Sequence, residues 1–482
     1  MLTPEAVGGL SQSELVSLVL RLVEDNQRLQ AEVVSLRAEL AKNSGNSSKP
    51  PSRDPAVERE HQAEARRAKR SGGGKRRRPG KQPGSTGTTL EMVANPDAVV
   101  VHEPLRCRGC GGDLAEAEVT ATARRQVIDL PEPKPIVTEH QARTRRCGCG
   151  TETAAAFPAA VRARVSYGPR VRAIVAYLLA RQHIPVERTA EAVRDLFGIR
   201  LSTGCVDDIY SDAARRLKGF LAALVVVLRT LAVLHVDETT DRIGTKTCWM
   251  HVVSTARFTL IHASVTRGWD AVKEVGVLIG YRGVVVHDRL AMYWKLKAKH
   301  QVCAAHLLRD LASVAEIASQ AAWATGLARL LVEINNACDD ARERGLKTLA
   351  PTLKRSFSSR YDALVADAVA ANPEPATGRK RDALERRSYN LAVAFSTHKA
   401  SILTYMHDLR CGMTNNQGER DLRPVKLHRK VSSCFKSQAG AQRFAALRSY
   451  LSTTRKHDIP AIEALTRLFN GDPWMPQVAQ GT

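Results

Sequence analysis

The chain has 482 residues, 44% of them hydrophobic, and 72 Lys and Arg against 49 Asp and Glu, for a net charge of +23. That length admits two or three domains with at least one sizeable core, and the charge calls for a polyanionic partner, nucleic acid before a membrane surface. No uncharged apolar run is long enough for a membrane span and no secretory signal opens the chain, so the ten cysteines read as reduced thiols or metal ligands in a cytoplasmic, nucleoid-associated protein.

Leu15, Leu22, Leu29 and Leu36 recur at heptad spacing, with Val19, Asn26, Val33 and Leu40 on the alternate seam position. Leucine at d, valine at a and the single polar Asn26 predict a parallel two-stranded coiled coil over 1–42, hence a homo-oligomer. Residues 43–92, with NSGNSSKPP and RRAKRSGGGKRRRPGKQPG, offer no core. They read as a flexible basic linker in which Lys75, Arg76, Arg77, Arg78 and Lys81 neutralise DNA phosphates.

In 93–160, Cys107 and Cys110 form a C-x-x-C pair and Cys147 and Cys149 a C-x-C pair. Two close thiolate pairs suit a tetrahedral structural zinc in a ribbon. Residues 161–225 are helical in pattern, with Pro169 opening a helix and a later helix–turn–helix stretch that turns at Gly198 and restarts with Ser202 as cap. Such a unit can read a major groove, but Asp207, Asp208 and Asp212 make its second helix acidic, and plain packing stands as an equal alternative.

A catalytic core is expected over 226–456. LAVLHVDETT gives a buried strand, 231–237, that ends in Asp237; CWMHVVST and RFTLIHAS give two more strands; a helix over 269–280 leads to strand 283–287, which ends at Asp288. Helical patterns fill an insertion at about 310–410. In TNNQGERDLRP, Thr414 or Asn415 can cap a helix that carries Glu419 in its first turn, followed by Arg420, Arg423, Lys426, Arg429 and Lys430 as phosphate grips. A helix over 438–456 and a tail over 457–482 complete the chain. Three carboxylates brought together repel unless divalent cations sit between them, and two such ions can clamp both oxygens of an in-line phosphoryl displacement. His235 and His287, beside the acids, read as buried hydrogen-bonded residues, and the Cys303/His306 pair as core packing.

HVDET at 235–239, NSGNSSKPPS at 43–52, CRGCGGDL at 107–114 and NNQGERDLRP at 415–424 together resemble the IS66-family bacterial transposases, from about residue 90 to the end and through the heptads as well. The resemblance implies a multidomain α/β protein: an RNase H-like DDE catalytic core with a mainly helical insertion, preceded by coiled coil, zinc ribbon and helix-turn-helix-like module. It implies that Asp237, Asp288 and Glu419 hold two Mg²⁺ or Mn²⁺ ions, that double-stranded DNA is bound at element ends and target, and that accessory proteins of the same element are partners. HDRLAMYW departs from the family look by placing Arg289 where glycine is common. The expected function is metal-dependent DNA cleavage and strand transfer by the transposase of an insertion sequence. The rival is a co-opted or decayed transposase-derived DNA-binding protein, against which three intact acids argue.

Overall fold

The computed structural model of the chain describes residues 16–26, 29, 30, 33, 91–158, 161, 163–374 and 383–477. The linker cations Lys75 to Lys81, and much of the heptad segment, lie outside the described residues. Residues 16–26 are helical, with Val19 and Leu22 exposed in the single chain.

Two short strands, β1 (Thr144–Arg146) and β2 (Glu152–Ala154), pair antiparallel and are exposed throughout. Four helices follow: α1 (Pro169–Ala180), α2 (Val186–Phe197), α3 (Thr203–Arg216) and α4 (Lys218–Thr230). Proline at its start sets α1, Gly198 ends α2 in the left-handed conformation, and the Ser202 hydroxyl accepts the Cys205 N–H to cap α3. Two acids of α3 are paired: Asp212 with Arg172 of α1 and with Arg215 and Arg216 of its own helix, and Asp207 with Arg443.

The central sheet holds β3 (Val233–Ile243), β4 (Lys246–Ser254), β5 (Thr259–Ser264), β6 (Val284–His287) and β7 (Lys299–Val302), in the order β5-β4-β3-β6-β7. β3, β4 and β5 pair antiparallel with one another, whereas β6 lies parallel to β3 and β7 parallel to β6. Three expectations need correction here. The first strand does not stop at Asp237, because its hairpin with β4 continues to Ile243↔Lys246. Between β5 and β6, α5 (Trp269–Val275) is shorter than expected because Gly276 terminates it at φ +72°. Strand β7, too short to show alternation, was not foreseen.

Side-chain alternation gives the sheet two distinct faces. Met250, Val252, Ile261 and Ala263 pack under α12 (Asn416–Ser432) and α13 (Gln438–Arg455) through Leu422, Val425, Phe444 and Ala445. Leu234, Val236, Val253 and Leu260 belong to a larger core shared with α1 to α4 and with α14 (Ala461–Asn470). The segment expected as a tail therefore contains a packed amphipathic helix, and the helical module is continuous with the core of the sheet.

From β7 the chain enters six helices with their own core: α6 (Ala304–Ala315), α7 (Ala321–Glu343), α8 (Pro351–Ala370), α9 (Ala383–Thr397), α10 (Lys399–Ile402) and α11 (Thr404–His407). Leu311, Leu327, Tyr361, Phe395 and Tyr405 fill that core. Fully buried Gln301 of β7 ties it to the sheet, donating to the Ile402 carbonyl at 3.2 Å and accepting the Tyr405 N–H at 2.8 Å.

Candidate active site

Parallel pairing aligns Val233 with Val284 and His235 with Val286; continued by two residues, that register sets Asp237 opposite Asp288 just past the end of β6. Asp237 shares its face with its cross-strand partner Val252, so it points toward α12. The first turn of that helix supplies Glu419. At Gly418 an added Cβ would lie 3.1 Å from Asn415 Oδ1 and 3.4 Å from Asp237 Cβ, so the helix backbone passes almost in contact with the acid. A residue without a side chain permits that approach.

The three acids meet in one electrostatic neighbourhood. Burial raises the Asp237 carboxyl to about 7, with Glu238, Asp288 and Glu419 pushing the same way and the Glu238 N–H, which donates to Asp237 Oδ1 at 2.9 Å, opposing them. Asp288 Oδ1 accepts the Leu290 N–H at 3.1 Å. Between these two residues Arg289 has φ +77°, the conformation glycine adopts freely and other residues at a cost of about 1–2 kcal/mol. Arginine is held there by an ion pair with Asp310 on α6 and by its N–H donating to His287 Nδ1 at 3.1 Å. The departure at 289 thus falls on a turn whose backbone suits glycine, and the ion pair offsets part of the strain.

Asn415 is the residue that sequence reading undervalued. Instead of capping α12 with its side chain, it reaches across to β3: Nδ2 donates to the Val236 carbonyl at 2.7 Å and Oδ1 lies 3.2 Å from His235 Nδ1. Its backbone N–H donates to the buried Cys303 sulfur at 3.1 Å. One side chain and one amide therefore seat the Glu419 helix on both the β3 strand and the start of α6. The NNQG context was the available signal, but it shows neither partner.

Glu238 alternates to the other face, where its side chain is 1% exposed, paired with Arg267 at 2.8 Å and hydrogen-bonded by Tyr293 at 2.8 Å. Its charge acts on both Asp237 and Asp288. His287 is buried, as expected, with its Nε2 3.1 Å from His300 Nδ1, whereas His235 is only half-buried, its Nδ1 3.2 Å from Asn415 Oδ1. Cys303 is fully buried, as expected of core packing, and His306 half-buried; both also lie beside Glu419. Arg420, Arg423, Lys426, Arg429 and Lys430 are all exposed on α12, a cationic strip leading away from the acids.

The cysteines form two knuckles. Gly111 N–H donates to the Cys107 carbonyl at 2.9 Å and Gly150 N–H to the Cys147 carbonyl at 2.8 Å, which turns each pair's sulfurs toward one another. The Cys110 N–H lowers the Cys107 thiol, and the Thr151 hydroxyl brings Cys149 down to about 7, the direction a metal-binding thiolate needs. The donor set fits zinc within each knuckle. No three of the four sulfurs lie within 4.8 Å of one another.

A mixed α/β core with clustered acids, following a paired-cysteine module, is what a protein of the transposase class would present, and the family comparisons bear out that class. The family described as the IS66 transposase family matches residues 164–443, more than half of the chain, and the chain belongs to that family. The zinc-finger binding domain of the IS66 transposase matches residues 104–150, which supports a structural zinc, and a family of unknown function matches residues 4–90. Among curated proteins, the uncharacterized protein y4hP of Sinorhizobium fredii is 24% identical over 432 residues, spanning 78% of this chain and 74% of that protein. Among the described residues no helix is long and apolar enough to cross a membrane.

Proposed function

We propose that this transposase cleaves DNA at the ends of its insertion sequence and joins the freed ends to a target, with Asp237, Asp288 and Glu419 as the catalytic acids of an RNase H-like core. The observation that carries the reading is the convergence of these acids from the middle of β3, the end of the parallel strand β6 and a helix first turn, with Asp237 raised to about 7. Burying like charges is unfavourable unless cations join them. The three acids would hold two Mg²⁺ or Mn²⁺ ions, which supply Lewis-acid polarisation of the phosphate and a more nucleophilic attacking oxygen. The sheet order, with three antiparallel strands followed by two parallel ones, supports the RNase H-like assignment.

The chain's own residues do the rest. Asn415 and Gly418 set the Glu419 carboxylate against Asp237. Arg420, Arg423, Lys426, Arg429 and Lys430 align the DNA backbone along α12, helped by Lys75, Arg76, Arg77, Arg78 and Lys81 from the linker. Water is the first nucleophile and the freed 3′-hydroxyl the second. Cys107, Cys110, Cys147 and Cys149 close on one structural zinc, and the heptads join two chains, which would bring two DNA ends together; accessory proteins of the element would act on this assembly.

The test is cleavage of a labelled duplex carrying the terminal repeat beside the coding region, with a binding titration at fixed salt. Mg²⁺-dependent cleavage that disappears in Asp237→Asn while binding persists is expected. Binding without cleavage by the unaltered protein would favour the non-catalytic DNA-binding reading.

A further inference from the structure

At the end of β7 the chain turns at Cys303, the N-cap position of α6, and His306 follows in the first turn of that helix. Glu419 arrives at the same place from α12. The Cys303 sulfur, a His306 ring nitrogen and a Glu419 carboxylate oxygen lie within 4.8 Å of one another, and among the described residues no other set of three such ligands does so. His306 Nδ1 and Glu419 Oε1 are 3.9 Å apart, beyond hydrogen-bond distance. Both atoms are shielded from solvent and neither has a hydrogen-bond partner. Leaving two buried polar atoms unsatisfied is costly; a cation shared between them removes the cost.

The sulfur's surroundings point the same way. It accepts the Asn415 N–H at 3.1 Å. An outer hydrogen bond of this kind accompanies metal-bound ligands. The cluster is partly open to solvent, the side chains of His306 and Glu419 being 25% and 38% exposed.

We propose that Cys303, His306 and Glu419 form a binding site for a borderline-soft divalent transition metal of the Zn²⁺ class, and that filling it inhibits DNA cleavage by withdrawing Glu419 from the acid centre. A thiolate, an imidazole and a carboxylate are the donors zinc takes with a fourth position open, whereas Mg²⁺ prefers oxygen ligands alone. Binding forms a bond from the metal to sulfur and releases the thiol proton to solvent. The inhibition rests on the proposed catalytic role of Glu419; the metal binding does not.

Zinc is titrated into the full-length chain by equilibrium dialysis, alongside His306→Gln and Cys303→Ser, each checked for an unchanged core unfolding transition. The unaltered chain should hold about one more zinc than either variant, because the cysteine knuckles are the same in all three. In Mg²⁺-dependent cleavage, His306→Gln should need at least tenfold more free zinc for half-inhibition, measured against its own zinc-free rate. Equal zinc content in the unaltered chain and His306→Gln overturns the site. An extra zinc with equal inhibition overturns the regulatory part. If no protein cleaves DNA, the catalytic reading fails and dialysis still decides the metal site.

Discussion

Residues 91–158 create their chemistry within turns of a few residues: each knuckle closes through hydrogen bonds to its own first cysteine, while Val127, Leu130, Ile136 and Val137 stay largely exposed between them. The acid centre is assembled the other way. Asp237, Asp288 and Glu419 are far apart in the chain and meet because β3 pairs with β6 and α12 packs on the face of the sheet that Asp237 shares with Val252. A local site with little core depends on its ligand for stability. A long-range site inherits stability from the packing around it and can hold mutually repelling groups in place.

The strongest way to break this contrast is at the acids. Asp288→Asn or Glu419→Gln should lower cleavage by at least about a hundredfold, as loss of transition-state charge stabilisation does, while the thermal transition of the core stays the same or rises. A variant that still cleaves like the unaltered protein would remove that residue from the site. The converse experiment is Cys107→Ser with Cys110→Ser. Zinc content should fall and protease should cut within 91–158, yet the core transition should not move. A core that melts early would show that the module is not locally built.

Asn415→Ala sharpens the comparison, because it leaves all three acids in the chain and removes only the link from α12 to β3. The Val236 carbonyl loses its buried donor, which should cost about 1–3 kcal/mol in urea unfolding, and misplacement of Glu419 should reduce cleavage by about tenfold or more with DNA affinity unchanged. Unaltered cleavage would mean that packing alone seats the helix.

The smallest expected effect concerns acid stability of the core beneath α12. Burial lowers His428 to about 4 and His183 to about 3. Between about pH 6.5 and 4 the unfolded chain takes up protons that the folded chain refuses, so stability falls as the pH falls, by at most about 1.4 kcal/mol per pH unit for each group. His428→Phe keeps an aromatic ring against Phe435, on which His428 is stacked at 4.4 Å, and loses no hydrogen bond through Nδ1, which has none. Its stability difference between pH 7 and pH 5 should shrink by about 1–2 kcal/mol; an unchanged difference would show that His428 does not titrate on unfolding.

Patterns that act within a few residues were legible in the chain itself: Ser202 as a helix cap, Gly198 as a helix stop, the paired cysteines, the apolar runs that lead to Asp237 and Asp288, and Glu419 in a helix first turn. Each follows from backbone preferences or side-chain reach that a short peptide already possesses. The packed structure alone decided the rest. The length of β3 is set by its hairpin partner, and β7 exists because β6 offers it an open edge. The direction of Glu238 into the Arg267 and Tyr293 network follows from alternation in a register that no single strand contains. The contacts of Asn415 and His306 cannot be read from the sequence because their partners, Val236 and Glu419, lie far away along the chain. Hydrogen bonds and ligand clusters between distant segments leave no periodic trace, so only the tertiary packing could place them.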